Sequence, residues 1–451
     1  METRLTTSVR VEDGHPPDPL SVFTCLRDRF PGECFLLEST EGPKKAARYS
    51  FIGANPLMTF RSSGDQVELN GQRFRSPDPY SFLEGLFSSI GCGDTGLAPF
   101  SGGMVGYLGF NTVRYFEDLH IPVDQEFPEM YFVLPEHLVC VDHLGRRTFL
   151  ISHGKVGELQ EALRNAGEVD TEPLRIGEGR ANIGEDRYTS MVQEAKENIL
   201  DGEIFQVVLS RRMDFRVDGD PLRMYRALRS LNPSPYLFFL DFQEMELLGS
   251  SPEMLCRLEG KELTTRPLAG TRPRSPDPEE DEKLKLHMLL DEKERAEHLM
   301  LVDLHRNDMG RVSRPGSVKV TELMGVEKYS HVQHLVSNIR SDLAPGFDAF
   351  DALRSCFPAG TVSGAPKIRA MEIINRLEGC SRGPYAGAVG YFDFSGSMDF
   401  GITIRSIVAS KGRARVQAGA GVVADSVPSN EFRETEHKMG AMLQALQSEE
   451  G

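Results

Sequence analysis

Two glutamate pairs carry the first chemical signal. Residues Asp291 to Asp308 read DEKERAEHLMLVDLHRND, and at helical period Leu286, Leu290, Leu301 and Leu304 share one face, flanked by Leu289 and Met300. Glu297 falls within that apolar stripe and Glu294, one turn earlier, at its edge. A carboxylate taken out of water without a partner is costly or takes up a proton, so Glu297 in such a stripe requires a cation, a metal or a proton. The alternative is a shifted register in which both carboxylates are solvated. A second pair stands near the C-terminus, where Glu431, Glu434 and Lys438 share a face opposite Phe432, Met439 and Leu443. Alone, that face reads as solvated. Brought together, the two pairs make an all-oxygen site that suits Mg²⁺, an ion that keeps several waters and is completed by an anionic substrate.

Other residues could hold or move charge. Arg405, in GITIRSIV, offers a bidentate fork to a carboxylate, and the glycine-rich AGAG of Ala418 to Gly421 lets backbone N–H groups approach an anion. GTVSGAPK lacks the GxxxxGK[ST] pattern, and Pro366 removes an N–H a phosphate loop would use, so nucleotide binding is not expected there. His334 lies in HVQHLVSN with His331 near it; a lone histidine is more often structural than catalytic. There is no HExxH, no GxSxG elbow and no cysteine in a glutaminase setting, so this chain is not expected to release ammonia from glutamine itself.

Composition narrows the field. The 451 residues carry a formal charge of −16 with no basic run, which argues against nucleic acid or an anionic membrane as partner. No apolar run is long enough to span a bilayer, and the N-terminus has no signal-peptide core, so cytoplasm is the expected location. Seven cysteines without a CxxC suggest neither a disulfide framework nor a zinc site.

The elements that must position these groups alternate between short strands and amphipathic helices. A helix over Pro19 to Arg29 precedes strands at Cys34 to Ser39 and Arg48 to Pro56 around a Gly42 to Lys45 turn. A helix is expected over Pro79 to Ser89 and two strands within Tyr131 to Ser152. The polar stretch from Glu168 to Arg187 separates an N-terminal part, 1–170, from a catalytic part, 185–451, the two intertwined in one unit. The second part opens on a helix, Asp186 to Asp201, with an aspartate cap, then a strand containing Gln206, a helix Pro221 to Asn232, further strands, the Glu297 helix, a helix beginning at Pro366, strands, and a last helix from about Asn430.

Taken together, LLES, RYSFIG, GEIFQVVLSRR, NPSPYLFFL, SPEML, RPLAGTRPR, KERAEHLMLVDLHRND, FPAGTVSGAPKIRAMEII, GAVGY, ITIRS and QAGAGVVADS resemble, in order, the anthranilate synthase component I family of chorismate-utilising enzymes. The resemblance implies an α+β fold: two large facing antiparallel sheets with helices packed outside and the active site in the cleft between them. It implies a chorismate site with Mg²⁺ on Glu297 and Glu434, backed by Glu294 and Glu431. Gly270, Thr271, Tyr385, Arg405, Gly419, Ala420, Gly421 and Lys438 match the substrate pocket. Glu253 matches the general acid for loss of the C4 hydroxyl, and His334 the residue of the pyruvate-eliminating step. Gln206 and Thr361 complete the catalytic set. Ser39, Asn232, Pro235, Tyr236 and Leu237 match a feedback pocket for L-tryptophan, Leu237 standing where methionine is frequent. Expected partners are chorismate and a glutamine amidotransferase subunit supplying ammonia, at the first step of tryptophan biosynthesis.

Relatives that add water carry a lysine at Gln206, and those that aminate C4 carry one at Ala269; the neutral residues here favour 2-amination. Aminodeoxychorismate, amino-deoxyisochorismate and isochorismate or salicylate synthases are the alternatives within the family. A non-catalytic tryptophan-binding regulator is the alternative outside it.

Overall fold

Two long strands, Tyr49–Ser63 and Met130–Asp142, pair antiparallel along nearly their whole length and set the architecture. Their ladder slips once, between Pro56 and Met58, where Pro56 faces Pro135. Proline cannot donate to a ladder, and a bulge bends the strand that carries it, so the pair turns a corner there and serves two sheets. The computed structural model describes residues 3–39, 48–92, 95–164, 173–329 and 332–447. The expected Gly42 to Lys45 turn, His331 and part of the inter-part stretch lie outside them.

Before the corner, Tyr49–Ser63 pairs with Cys34–Glu38, which pairs with Tyr236–Asp241. The sheet continues through Met245–Ser251, Ser406–Ser410 and Arg413–Val422 to Gln206–Asp218. Beyond the corner, Met130–Asp142 pairs with Gly103–Leu108, and that sheet runs through Ala388–Asp393, Met398–Ile402, Met254–Glu259 and Glu262–Thr265 to Val332–Asp342. All these pairings are antiparallel.

Three cores follow from this layering. Phe35, Phe51, Phe100, Tyr107, Phe238, Leu247, Val389 and Tyr391 fill the space between the sheets. Helices Pro19–Arg29, Leu222–Leu231 and Pro428–Gln447 cover the outside of the first sheet through Phe23, Tyr225, Leu228, Met439 and Met442. Helices Glu185–Leu200, Ala349–Cys356 and Lys367–Glu378 cover the other outer core through Tyr188, Met191, Leu353 and Ile374. Aromatic and aliphatic side chains on alternate strand positions thus face inward while helix stripes close the outer faces, the two-sheet α+β arrangement expected.

Three local expectations need correction. The single helical register from Leu286 to Leu304 is interrupted: one helix ends at Leu290 and another runs Glu292–Gly310. Asp291 between them accepts from Lys293 N–H at 3.0 Å and Glu294 N–H at 3.1 Å, the geometry of an N-cap. Leu286 and Leu290 are consequently exposed, and the packed stripe is His298, Leu301, Val302, His305, Asp308 and Met309. Glu297 and Glu294 prolong that stripe at its N-terminal end. Helix Glu185–Leu200 is preceded by Gly184, with Asp186 in its first turn rather than at its cap, and Pro366 is the cap residue before a helix starting at Lys367.

Candidate active site

The strands Gln206–Asp218 and Arg413–Val422 form the floor of a cleft, with Ser210 opposite Gly419 and Val208 opposite Gly421. The glycines are required by space. A Cβ on Gly419 would stand 2.9 Å from the Leu209 carbonyl oxygen and 3.0 Å from Tyr385 Oη, and one on Gly421 would stand 2.7 Å from Gln206 Nε2. The wall is the Leu268–Pro273 strand, where Gly270 has φ +61° at a break in pairing opposite Leu335 and His334. Positive φ suits glycine, and the bulge turns the Gly270 carbonyl toward His334.

His334 Nδ1 lies 2.9 Å from that carbonyl and 3.1 Å from Thr271 Oγ1. A carbonyl only accepts, so Nδ1 carries the proton and Nε2 holds a lone pair. Burial pushes the imidazole down to about 4, keeping it neutral.

Glu253 and Arg405 stand where the chain crosses from one sheet to the other, between Met245–Ser251 and Met254–Glu259 and between Met398–Ile402 and Ser406–Ser410. Burial pushes the Glu253 carboxyl up to about 8; Thr361, the Leu268 backbone, Lys438 and Arg405 oppose this more weakly. Neither Glu253 Oε1 nor Thr361 Oγ1 completes a hydrogen bond. Arg405, at φ +48°, is lowered by burial with Glu253 opposing. A non-glycine residue there is strained, so the position of Arg405 beside Glu253 is held at a conformational cost.

The carboxylates converge from two helices. Glu297 Oε1 accepts from Gln206 Nε2 at 2.9 Å, and its carboxyl is raised by burial and then by Glu294, with a smaller push from Glu434 and opposition from Gln206 and Lys293. Glu294 accepts from Arg272 Nη1 at 2.9 Å. Glu434 pairs with Lys438 at 2.7 Å, and Lys438 Nζ donates to the Gly419 carbonyl at 3.0 Å. Glu431 is buried and raised by that burial, with the Ser426 hydroxyl opposing. Among the described residues no group of three or more His, Cys, Asp or Glu is placed to hold a metal. The four carboxylates therefore form no single cage; each has its own hydrogen-bond or ion-pair partner.

Several of the expected residues lie near one another: Tyr385, with its phenol raised by burial, lies at Gly419, Ala420 is buried between the glycines, and Thr361, Lys438 and Arg405 lie around Glu253. The catalytic set shares a feature also found at other buried side chains of the chain, such as Ser62, His298 and Gln333. Gln206 Oε1, Glu253 Oε1, His334 Nε2 and Thr361 Oγ1 are all buried without a hydrogen-bond partner. Such atoms are costly and uncommon, and a bound molecule with complementary groups would satisfy them.

The expected inhibitor residues lie elsewhere. Ser39, Pro235, Tyr236 and Leu237 line a 630 Å³ cavity, together with Glu38, Tyr49, Met254, Arg257 and Asp399. Tyr236 Oη donates to Asp399 at 2.9 Å. Asn232 is not in that lining; its Nδ2 donates to Ser250 Oγ at 3.2 Å. Sequence reading missed Arg272, the partner of Glu294, and Lys293, near Glu297 and Glu431; the bulge at Gly270 breaks the strand alternation that would have assigned Arg272 a face.

A family model described as chorismate binding enzyme matches residues 32–444. Anthranilate synthase component 1 of Methanothermobacter thermautotrophicus is 45% identical over 436 residues, covering 95% of this chain and 92% of that protein. The chain belongs to the chorismate binding enzymes. Within them it is a chorismate-utilising synthase of the anthranilate synthase component I family. The Thermus thermophilus component 1 is 44% identical, with 96% of each chain covered. The crystal structure of anthranilate synthase component I from Streptococcus pneumoniae matches with a TM-score of 0.80 at 38% identity, covering 89% of this chain and 93% of that one. The menaquinone-specific isochorismate synthase of Escherichia coli, 21% identical with a TM-score of 0.76, shares the family's fold.

Proposed function

We propose that this chain converts chorismate and ammonia to anthranilate, pyruvate and water. The observation that carries the proposal is the set of four unpartnered buried polar atoms, on Gln206, Glu253, His334 and Thr361, with Gln206 against Gly421 and His334 against Gly270. Arg405 and the Gly419–Gly421 backbone receive substrate carboxylate. Glu253, raised to about 8, is protonated at neutral pH and gives its proton to the departing C4 hydroxyl as ammonia bonds to C2. Gln206 is a neutral amide that cannot take a proton from water, which favours ammonia over water as nucleophile. His334 Nε2 then removes the C2 proton, the C3–O bond breaks to release pyruvate, and the ring becomes aromatic; the Nδ1–H bond to Gly270 holds the required tautomer.

Glu297 and Glu434, backed by Glu294 and Glu431, would hold a hard divalent cation only together with water and the substrate carboxylate, since they form no cage by themselves. Glu297 is a half-buried carboxyl whose proton affinity burial and neighbouring carboxylates raise, and a cation would relieve that repulsion. Bound there, Mg²⁺ would orient the substrate carboxylate and spread its charge. The relatives' name, component 1, implies a second subunit, and a glutamine amidotransferase supplying ammonia fits a chain without a glutaminase cysteine. The 630 Å³ cavity at Ser39 and Tyr236 has room for L-tryptophan as a feedback inhibitor, in keeping with a reaction at the first step of tryptophan biosynthesis.

The test is the product formed by the purified chain from chorismate, Mg²⁺ and excess ammonium salt, identified by mass. Anthranilate plus pyruvate is expected. An amino product retaining the enolpyruvyl group would move the function to aminodeoxychorismate or amino-deoxyisochorismate synthesis, and isochorismate would indicate water as nucleophile.

A further inference from the structure

Behind the cleft floor lies a fully buried ion pair that the proposed chemistry does not use. Glu378 and Arg382 each have a side chain 1% exposed. Arg382 Nε donates to Glu378 Oε2 at 2.9 Å and Nη2 to Oε1 at 2.6 Å. The same guanidinium reaches two further elements: Nη1 donates to the Val362 carbonyl and Nη2 to the Val208 carbonyl, both at 2.7 Å. Glu378 Oε1 in turn accepts from Ser210 N–H at 2.7 Å and Ser210 Oγ at 2.9 Å, and Gln417 Nε2 donates to Ser210 Oγ at 2.8 Å. The guanidinium lies 4.7 Å from the Phe110 ring centroid and 5.8 Å from that of Tyr385.

Each anchor is one or two residues from a cleft group. Val362 follows Thr361, Val208 is two residues from Gln206 on the same face of its strand, Gln417 is two from Gly419, and Tyr385 faces Gly419 itself. We infer that Arg382 is a positioning residue for the cleft, its fork fixing the Thr361 loop and the Gln206 strand relative to one another from behind. This rests on the function proposed above. Arginine is suited to the task because its five donors lie in one rigid plane and serve two carbonyls and a carboxylate at once. Lysine keeps the charge opposite Glu378 but cannot span both carbonyls.

The test compares Arg382→Lys with wild type and with Leu159→Ala, a core variant in the distant helix Val156–Arg164. Chorismate, Mg²⁺ and ammonium salt are supplied, and kcat, KM and melting temperature are measured on each. Arg382→Lys is expected to lose about 10²-fold in kcat with KM for chorismate little changed, the scale of effect produced by slight misplacement of reacting groups. Leu159→Ala is expected to lower the melting temperature yet keep kcat per folded molecule. Wild-type kcat in folded Arg382→Lys would reduce the pair to a structural role and overturn the inference. Should Arg382→Lys not fold, Ser210→Ala decides: it removes one bond from Glu378, and an unchanged kcat would overturn the inference while a several-fold loss at constant KM supports it. If wild type forms no anthranilate, the proposed function fails first and the inference with it.

Discussion

Glu253 and His334 show one physical cause, burial, moving two groups in opposite directions for two tasks. The carboxyl becomes a better proton holder and the imidazole a worse one. With Glu253 as acid, turnover should fall as pH rises through about 8. Linkage gives an independent check. The folded value lies above the ordinary 4.5, so its stabilising contribution is complete below that pH and is lost as pH rises through about 8. The melting temperature of Glu253→Gln, which never ionises, should gain on wild type across that window; a constant difference would contradict the shift. His334→Met should slow pyruvate loss more than amination, so that mass analysis finds an amino product retaining the enolpyruvyl group. Equal slowing of both steps would remove His334 from its role. Glu297→Ala should abolish Mg²⁺-dependent turnover while leaving the chain folded, read by activity and circular dichroism together.

At the scale of elements, the site depends on what its strands and helices leave out. Gly419 clears space between the Leu209 backbone and Tyr385. Gly419→Ala should cost about 1–3 kcal/mol of stability by overpacking and weaken chorismate binding, measurable by denaturant titration and by KM. The helix carrying Glu294 and Glu297 begins where it does because Asp291 caps it, and that break was hidden in a sequence whose leucines fit one continuous period. Periodicity reports which residues could share a face; it does not report where a side-chain cap interrupts the face. The last helix was readable because Phe432, Met439 and Leu443 keep their spacing without interruption, although it starts at Pro428, two residues before the expected Asn430.

At the scale of the whole molecule, the corner in the two long strands lets N-terminal and C-terminal segments share both sheets. Cys34–Glu38 pairs with Tyr236–Asp241 in one, and Gly103–Leu108 with Ala388–Asp393 in the other. The cavity lined by Ser39 and Tyr236 also reaches Met254, the residue after Glu253. A ligand filling it is one residue away from the proposed acid. L-tryptophan should therefore raise the melting temperature, by mass action on the folded state, and lower turnover with ammonium as nitrogen donor. A thermal shift without inhibition would leave binding and remove the regulatory role.

The sequence by itself determined the types of group available: two carboxylate pairs, the neutral Gln206, a lone His334, the glycine run and the absence of a glutaminase cysteine, together with motif order sufficient to place the chain in its family. Alternation and helical period also determined most elements, because each needs only local residues to choose an inward face. What only the tertiary structure decided was environment. Whether Glu253 holds its proton, whether His334 is neutral, which partner each glutamate takes and why Asn232 leaves the cavity lining all depend on residues tens to hundreds of positions away. Proton affinity and hydrogen-bond partnership are properties of the surroundings, and those surroundings exist only once the two sheets have closed on each other.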